Sequence, residues 1–111
     1  MAELGTLNIA GASGTTYQFT AYSLGTVFSA ISAVYLITKH SSNPGGSGSY
    51  SHVYVGETFD LSQRFNNHHK MGCFKKHNAN CVCVHPEVNH SSRLEKGDDI
   101  RQAGTFPCNN K

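Results

Sequence analysis

Charge is scarce in this chain. Asp, Glu, Lys and Arg make up 14% of its 111 residues, and the formal net charge is +2 with 7 His counted neutral. A field that weak does not select a polyanion on its own, so an anionic partner has to be met by a local patch. Long apolar runs are also missing. None approaches the ~18 residues that cross a bilayer, which excludes a spanning helix and gives no reason to expect a membrane partner. The start, Met1-Ala2-Glu3-Leu4, has neither the basic residues nor the apolar stretch of a secretory signal, so the expected setting is the cytoplasm. At 12.0 kDa there is no room for a second core, and residues 1–111 are read as one domain. What the chain does have is 38% hydrophobic residues, among them 6 Phe and 5 Tyr, enough for a globular core.

The cysteines, Cys73, Cys81, Cys83 and Cys108, fall in the C-terminal third. Without an export signal they are expected as reduced thiols, with disulfides the lesser reading. His68, His69, His77, His85 and His90 lie among them and raise the idea of a zinc-stabilised interaction domain. Against it, Cys81 and Cys83 have a single residue between them, where zinc loops place about two to four. On a strand, Cys81 and Cys83 share one face while Val82 and Val84 share the other. Buried small thiols account for this segment.

Thr6–Ala10 and Thr15–Thr20 read as two strands about Gly11-Ala12-Ser13-Gly14, whose glycines permit a positive φ, so residues 1–30 are expected to hold an N-terminal β-hairpin. Ile31–Lys39 is a β-branched, nearly continuous apolar run and the expected central strand. Residues 41–49 are a Gly/Ser-rich loop between strands that can pair across it. His52–Gly56 is the next strand. Over 60–70 a helix is expected, with Asp60 as N-cap, Leu61 and Phe65 four apart, and Arg64 and His68, also four apart, on a neighbouring face. Met71–Asn80 is polar and basic, its basic run open to a reading as a solvated loop; Cys81–His85 reads as a strand and Ser91–Ala103 as a second helix with Leu94 and Ile100 inward. Gly97 sits inside that helix, where glycine costs ~1 kcal/mol against alanine. It is a local conflict that asks for a reason. The expected fold is α/β: a small, mainly antiparallel mixed sheet flanked by helices, with its core in 31–109, extended by the hairpin.

One set of residues stands in a telling order. Ala33-Val34-Tyr35 is followed by Tyr54-Val55-Gly56, then by Arg64 and His68 on one helix, and Pro107-Cys108-Asn109 comes near the end. Taken singly these have ordinary readings as strand aromatics, a solvated arginine, surface histidine and a turn asparagine. In this order they resemble the GIY-YIG nuclease family, over Val34–Asn109 or about two thirds of the chain, with Tyr54-Val55-Gly56-Glu57-Thr58-Phe59-Asp60-Leu61-Ser62-Gln63-Arg64 carrying much of the likeness.

The resemblance implies a metal-dependent DNA endonuclease. Hydrolysing a phosphodiester requires an activated water, a cation against growing phosphoryl charge, and a neutralised leaving oxygen. In the family, the second-motif tyrosine is or assists the general base, the helix arginine binds phosphate, a glutamate on the next helix holds Mg²⁺ or Mn²⁺, and a terminal asparagine buttresses the site. By position these roles fall to Tyr54, Arg64 and Asn109, with Tyr35 as the first-motif tyrosine and His68 where the family often has His or Tyr. Compact bacterial members with this kind of hairpin include site-specific nucleases of single-stranded DNA, so single-stranded DNA is the implied partner. Lys70, Lys75, Lys76 and His77, beside Phe74, follow the phosphate-binding helix and are expected to track a nucleic-acid backbone.

Two positions depart from the family pattern. Ala33 replaces the first glycine of the leading motif, a mild change on an extended strand. The metal-binding glutamate falls on Gly97, whether counted forward from Arg93 or back from Asn109, and Asp99 and Ile100 match the residues after it. Three accounts are open: an inactivating substitution, which the misplaced helix glycine favours; a carboxylate supplied by Glu95 or Asp98; or a non-catalytic DNA-binding module on the same fold. Glu95 lies two residues away, roughly 200° around a helix, and should face elsewhere.

Overall fold

The structure, a computed structural model, describes residues 3–24, 26–42, 48–64, 70–104 and 106–109. The N-terminal hairpin forms as expected from β1 (Glu3–Ala10) and β2 (Thr16–Ser23), paired antiparallel from Glu3 opposite Tyr22 to Ala10 opposite Thr16. Its turn uses Gly14 at φ +91°, a conformation that glycine adopts without strain. β3 (Ala33–Ser42) and β4 (Gly48–Thr58) make the long hairpin, and their ladder runs out to Ser42 opposite Gly48, so strand pairing extends into the Gly/Ser-rich segment. Residues 43–47 lie outside the described residues.

The strand order is β1-β2-β5-β3-β4, and every pairing is antiparallel. The middle place belongs to β5 (Cys81–Pro86), which pairs with β2 on one side and β3 on the other. β3, expected at the centre, is one place off it. It is still hydrogen-bonded on both sides, and Ala33–Thr38 are all buried, which explains its unbroken apolar run.

Alternation along β5 divides the core. Cys81 and Cys83 join Phe19, Leu36, Ile100 and Phe106 on one face, while Val82 and Val84 join Tyr35, Ile37, Tyr54, Leu61, Phe74 and Cys108 on the other. Helices cover both faces of the sheet. α3 (His90–Ala103) brings Ile100 to the first face, and α1 (Leu61–Arg64) and α2 (Met71–Lys76) bring Leu61 and Phe74 to the second. The chain after α3 changes face: Phe106 packs on the first and Cys108, in a short 3-10 turn over Pro107–Asn109, on the second. It therefore wraps the outer edge of β4, where an unpaired strand would otherwise present a row of free backbone groups.

One local expectation falls partly outside the described residues, and two are corrected. Asp60 does cap α1, accepting from the Ser62 amide at 3.0 Å, but the described helix ends at Arg64, and 65–69, with Phe65 and His68, lie outside the described residues. The stretch open to a solvated-loop reading contains α2, because one residue in it, Phe74, is 1% exposed and pins a helical turn to the sheet. That turn closes at Asn78, φ 59°, a left-handed position that asparagine tolerates. In α3 Ile100 faces inward as expected, but the other inward residue is Arg93, 2% exposed, while Leu94 is 49% exposed. Positions 93, 97 and 100 form the stripe that faces the sheet, at the i, i+4, i+7 spacing of one helical face.

Among the described residues, no helix is long and apolar enough to cross a membrane.

Candidate functional site

Nothing in the packing around Gly97 requires a glycine. It lies on the inward stripe of α3, yet a side chain begun there would meet nothing within 4 Å. The space in front of it is a cleft of about 230 Å³ between α3 and the outer strand β4, bordered by Gly56, Glu57, Arg93, Gly97, Asp98 and Asn109. Helix and strand thus bring Gly56, Gly97 and Asn109, three positions named by the resemblance, to one cleft.

Asn109 is held to the cleft wall by two hydrogen bonds. Its Oδ1 accepts from the Val55 amide at 2.8 Å, and its Nδ2 donates to the Val55 carbonyl at 3.0 Å. A carboxamide is the side chain that offers a donor and an acceptor side by side, which is what one residue of an unpaired edge strand requires. The asparagine thereby takes the place of a sixth strand at the sheet edge.

Tyr35 and Tyr54 lie on the opposite face of the sheet, on β3 and β4, with ring centroids 6.1 Å apart. Both are buried. Gly56 links them to the cleft: it stands opposite Tyr35 in the ladder, and a Cβ on it would come 2.8 Å from the Tyr35 hydroxyl oxygen and 2.8 Å from Tyr54 Cε2. Only glycine lets the tyrosine hydroxyl approach the backbone that lines the cleft. Arg64 is the last residue of α1, and His68 lies outside the described residues.

The basic segment is split by the structure. Lys75 and Lys76 are exposed in the last turn of α2, and Lys70 stands at its start. Phe74 is a different matter. Its ring packs 5.5 Å from that of Tyr54 in the core, so it is a packing residue and not a platform for stacked bases.

The charges of the cleft are largely matched. Arg93 Nε donates to Glu57 Oε1 at 2.8 Å, and its Nη1 donates to the carbonyls of Glu87 and Val88 at 3.3 and 3.0 Å. Asp98 accepts from Arg101 at 2.6 Å and from Gln102 at 2.7 Å. Glu95 is exposed and does not border the cleft. Asp99 has a separate task, anchoring α3 to the first hairpin: it accepts from the Ser13 amide at 2.8 Å, and from the Ser13 and Tyr17 hydroxyls at 2.7 Å each. The Tyr17 hydroxyl, followed by Ser13, holds the Asp99 carboxyl below the usual carboxylate range, and the same carboxylate raises the Tyr17 phenol. A side chain at Gly11 would overlap that carboxylate and could enter only by displacing it from these bonds.

The thiol expectation is corrected for two of the four cysteines. Cys73 on α2 and Cys108 in the 3-10 turn form a disulfide, their Cα atoms 5.9 Å apart. They are separated by 35 residues in sequence, and only the wrapping of the C-terminal segment around β4 brings them together. Cys81 and Cys83 are free and buried as expected, with sulfurs 4.0 Å apart. The contact with Cys81 together with burial pushes the Cys83 thiol well above the ordinary thiol range.

Sequence reasoning did not find Glu57 and Arg93, the charged pair of the cleft. Glu57 follows Tyr54-Val55-Gly56 directly, and the 93, 97, 100 spacing was available as a signal for the inward arginine. Comparison of the chain with protein-family models, with curated proteins and with solved structures gives no match in any of the three.

Proposed function

We propose that this chain is a DNA-acting protein of the GIY-YIG nuclease type, built to hydrolyse phosphodiesters and catalytically impaired at Gly97. The observation that carries the reading is the setting of that glycine: it borders a cleft with Gly56 and Asn109, with open space where a side chain would start. The resemblance places the metal-binding glutamate at this position. Support comes also from the tyrosine pair closing on Gly56, from Asn109 fixed to β4, and from exposed Lys75 and Lys76 as backbone contacts beside the role proposed for Arg64. Single-stranded DNA is the proposed substrate class, and the cytoplasm the proposed setting.

The cleft as it stands does not fit Mg²⁺ or Mn²⁺. Hard cations take several oxygen ligands, and the two carboxylates bordering the cleft, Glu57 and Asp98, are each paired with an arginine. No step of this chain's chemistry is therefore assigned to a metal. That same shortage favours a second reading, a non-catalytic DNA-binding module that uses the groove and its basic rim. Replacing Gly97 by glutamate separates the two: metal-dependent cleavage of DNA by the variant supports the nuclease, whereas DNA binding without cleavage by either form supports the module.

A further inference from the structure

Outside the cleft, one group of side chains has the chemistry of a soft-metal site. Cys73 on α2 and His77, which caps its C-terminus, lie four residues and one turn apart, with the His77 amide donating to the Cys73 carbonyl at 3.1 Å. Cys108 reaches the same point from the 3-10 turn. The two sulfurs and one imidazole nitrogen all lie within 4.8 Å of one another. We propose that Cys73, His77 and Cys108 bind a divalent transition-metal ion of the zinc type when the protein is reduced, and that this state and the Cys73–Cys108 disulfide exclude each other.

The geometry permits both states with little motion. In a tetrahedral site with Zn–S near 2.3 Å, two sulfurs stand about 3.8 Å apart and sulfur and nitrogen slightly closer. Opening the disulfide and rotating two side chains on backbones whose Cα atoms are 5.9 Å apart reaches that spacing. Two thiolates and an imidazole are ligands that zinc prefers, and the fourth position is left for water. His77 is half-buried at the end of α2, so its ring needs no opening of the core.

The exchange balances without further groups if the oxidant is a small-molecule disulfide. The two metal-bound thiolates surrender two electrons to the oxidant's S–S bond, which breaks as the protein disulfide forms; the two thiolates released take up two protons from water, and the metal leaves as the free dication. The consequence reaches the cleft. Cys108 precedes Asn109, so either the disulfide or the metal ties to α2 the turn that holds Asn109 on Val55. Reduced and metal-free, the turn loses that covalent or coordinate tie.

The test is a titration of the reduced, desalted protein with Cd²⁺, followed by thiolate-to-metal charge-transfer absorption. One equivalent should bind with that absorption, and oxidised glutathione should abolish it as the disulfide forms. Cys73→Ser should show none, and His77→Ala, which keeps both cysteines and can be checked for folding through its disulfide, should bind at least roughly 10-fold more weakly, the least that loss of even an outer-shell partner costs. The proposal is overturned if no absorption develops, if Cys73→Ser retains it, which would place the ion on Cys81 and Cys83, or if His77→Ala binds as tightly as the unaltered chain.

Discussion

Replacing Arg93 by methionine is the most informative perturbation of stability. Arg93 is 2% exposed, and its guanidinium serves at once Glu57 on β4 and the two carbonyls that precede α3. Methionine keeps much of the apolar stem and removes every charged donor. Breaking a buried pair costs about 3–5 kcal/mol when the surviving charge stays buried. Glu57 keeps 27% of its side chain in water, so its carboxylate regains solvent and the cost falls to about 2–3 kcal/mol, chiefly the charge-assisted bonds left unmade. Urea unfolding should show this as a lower midpoint at unchanged slope. The double variant Arg93→Met/Glu57→Gln should lose about 1 kcal/mol less than the sum of the single variants, since the two share one interaction. Arg101→Ala is the control: that arginine and Asp98 are both 52% exposed, and such pairs contribute about 0–1 kcal/mol. A loss below about 0.5 kcal/mol for Arg93→Met, equal to the control, would refute the assignment of Arg93 as the clamp between α3 and β4.

Asn109→Ala removes both bonds to the Val55 backbone and should cost about 1–3 kcal/mol; hydrogen exchange at the Val55 amide should quicken more than elsewhere in β4, and an unchanged rate there would contradict the edge-capping role. His52 stacks on Phe106 with centroids 5.1 Å apart, and burial lowers its pKa. The unfolded chain therefore binds the proton first, so stability is complete above the ordinary imidazole pKa of about 6.5 and falls as pH drops through that value. His52→Phe, which keeps the stack, should lose this slope between about pH 7 and 5, and an identical slope in both proteins would assign it to another group. Gly97→Ala should raise stability by about 0.5–1 kcal/mol because the new methyl meets nothing; a loss would mean that the cleft is closed in solution.

Much of the fold could be read from local pattern. The Cys-Val-Cys-Val alternation sorted its residues correctly onto the two faces, and the β-branched run at 33–38 and the glycine turn at 11–14 marked real strands and a real hairpin. The failures share a cause, which is that a long-range contact outweighed local composition. One buried phenylalanine turned a polar, lysine-rich stretch into α2. An inward arginine displaced the inward leucine because Glu57, 36 residues away, and the carbonyls at 87 and 88 satisfy it. The Cys73–Cys108 bridge depends on the last segment crossing the edge of β4, and no spacing in the sequence records that crossing. At the site, Gly97 and Asn109 were legible only through an ordered resemblance. Their convergence on one cleft with Gly56 is a property of the fold.

The central claim, a phosphodiester-cleaving cleft that lacks one carboxylate, is tested most directly by assaying the unaltered chain, Gly97→Glu and Gly97→Ala side by side. Labelled single-stranded and double-stranded DNA should be incubated with Mg²⁺, with Mn²⁺ and with chelator. The account predicts cleavage by the glutamate variant alone, dependent on metal and strongest on single strands. A folded glutamate variant that cuts neither DNA with either metal would contradict it.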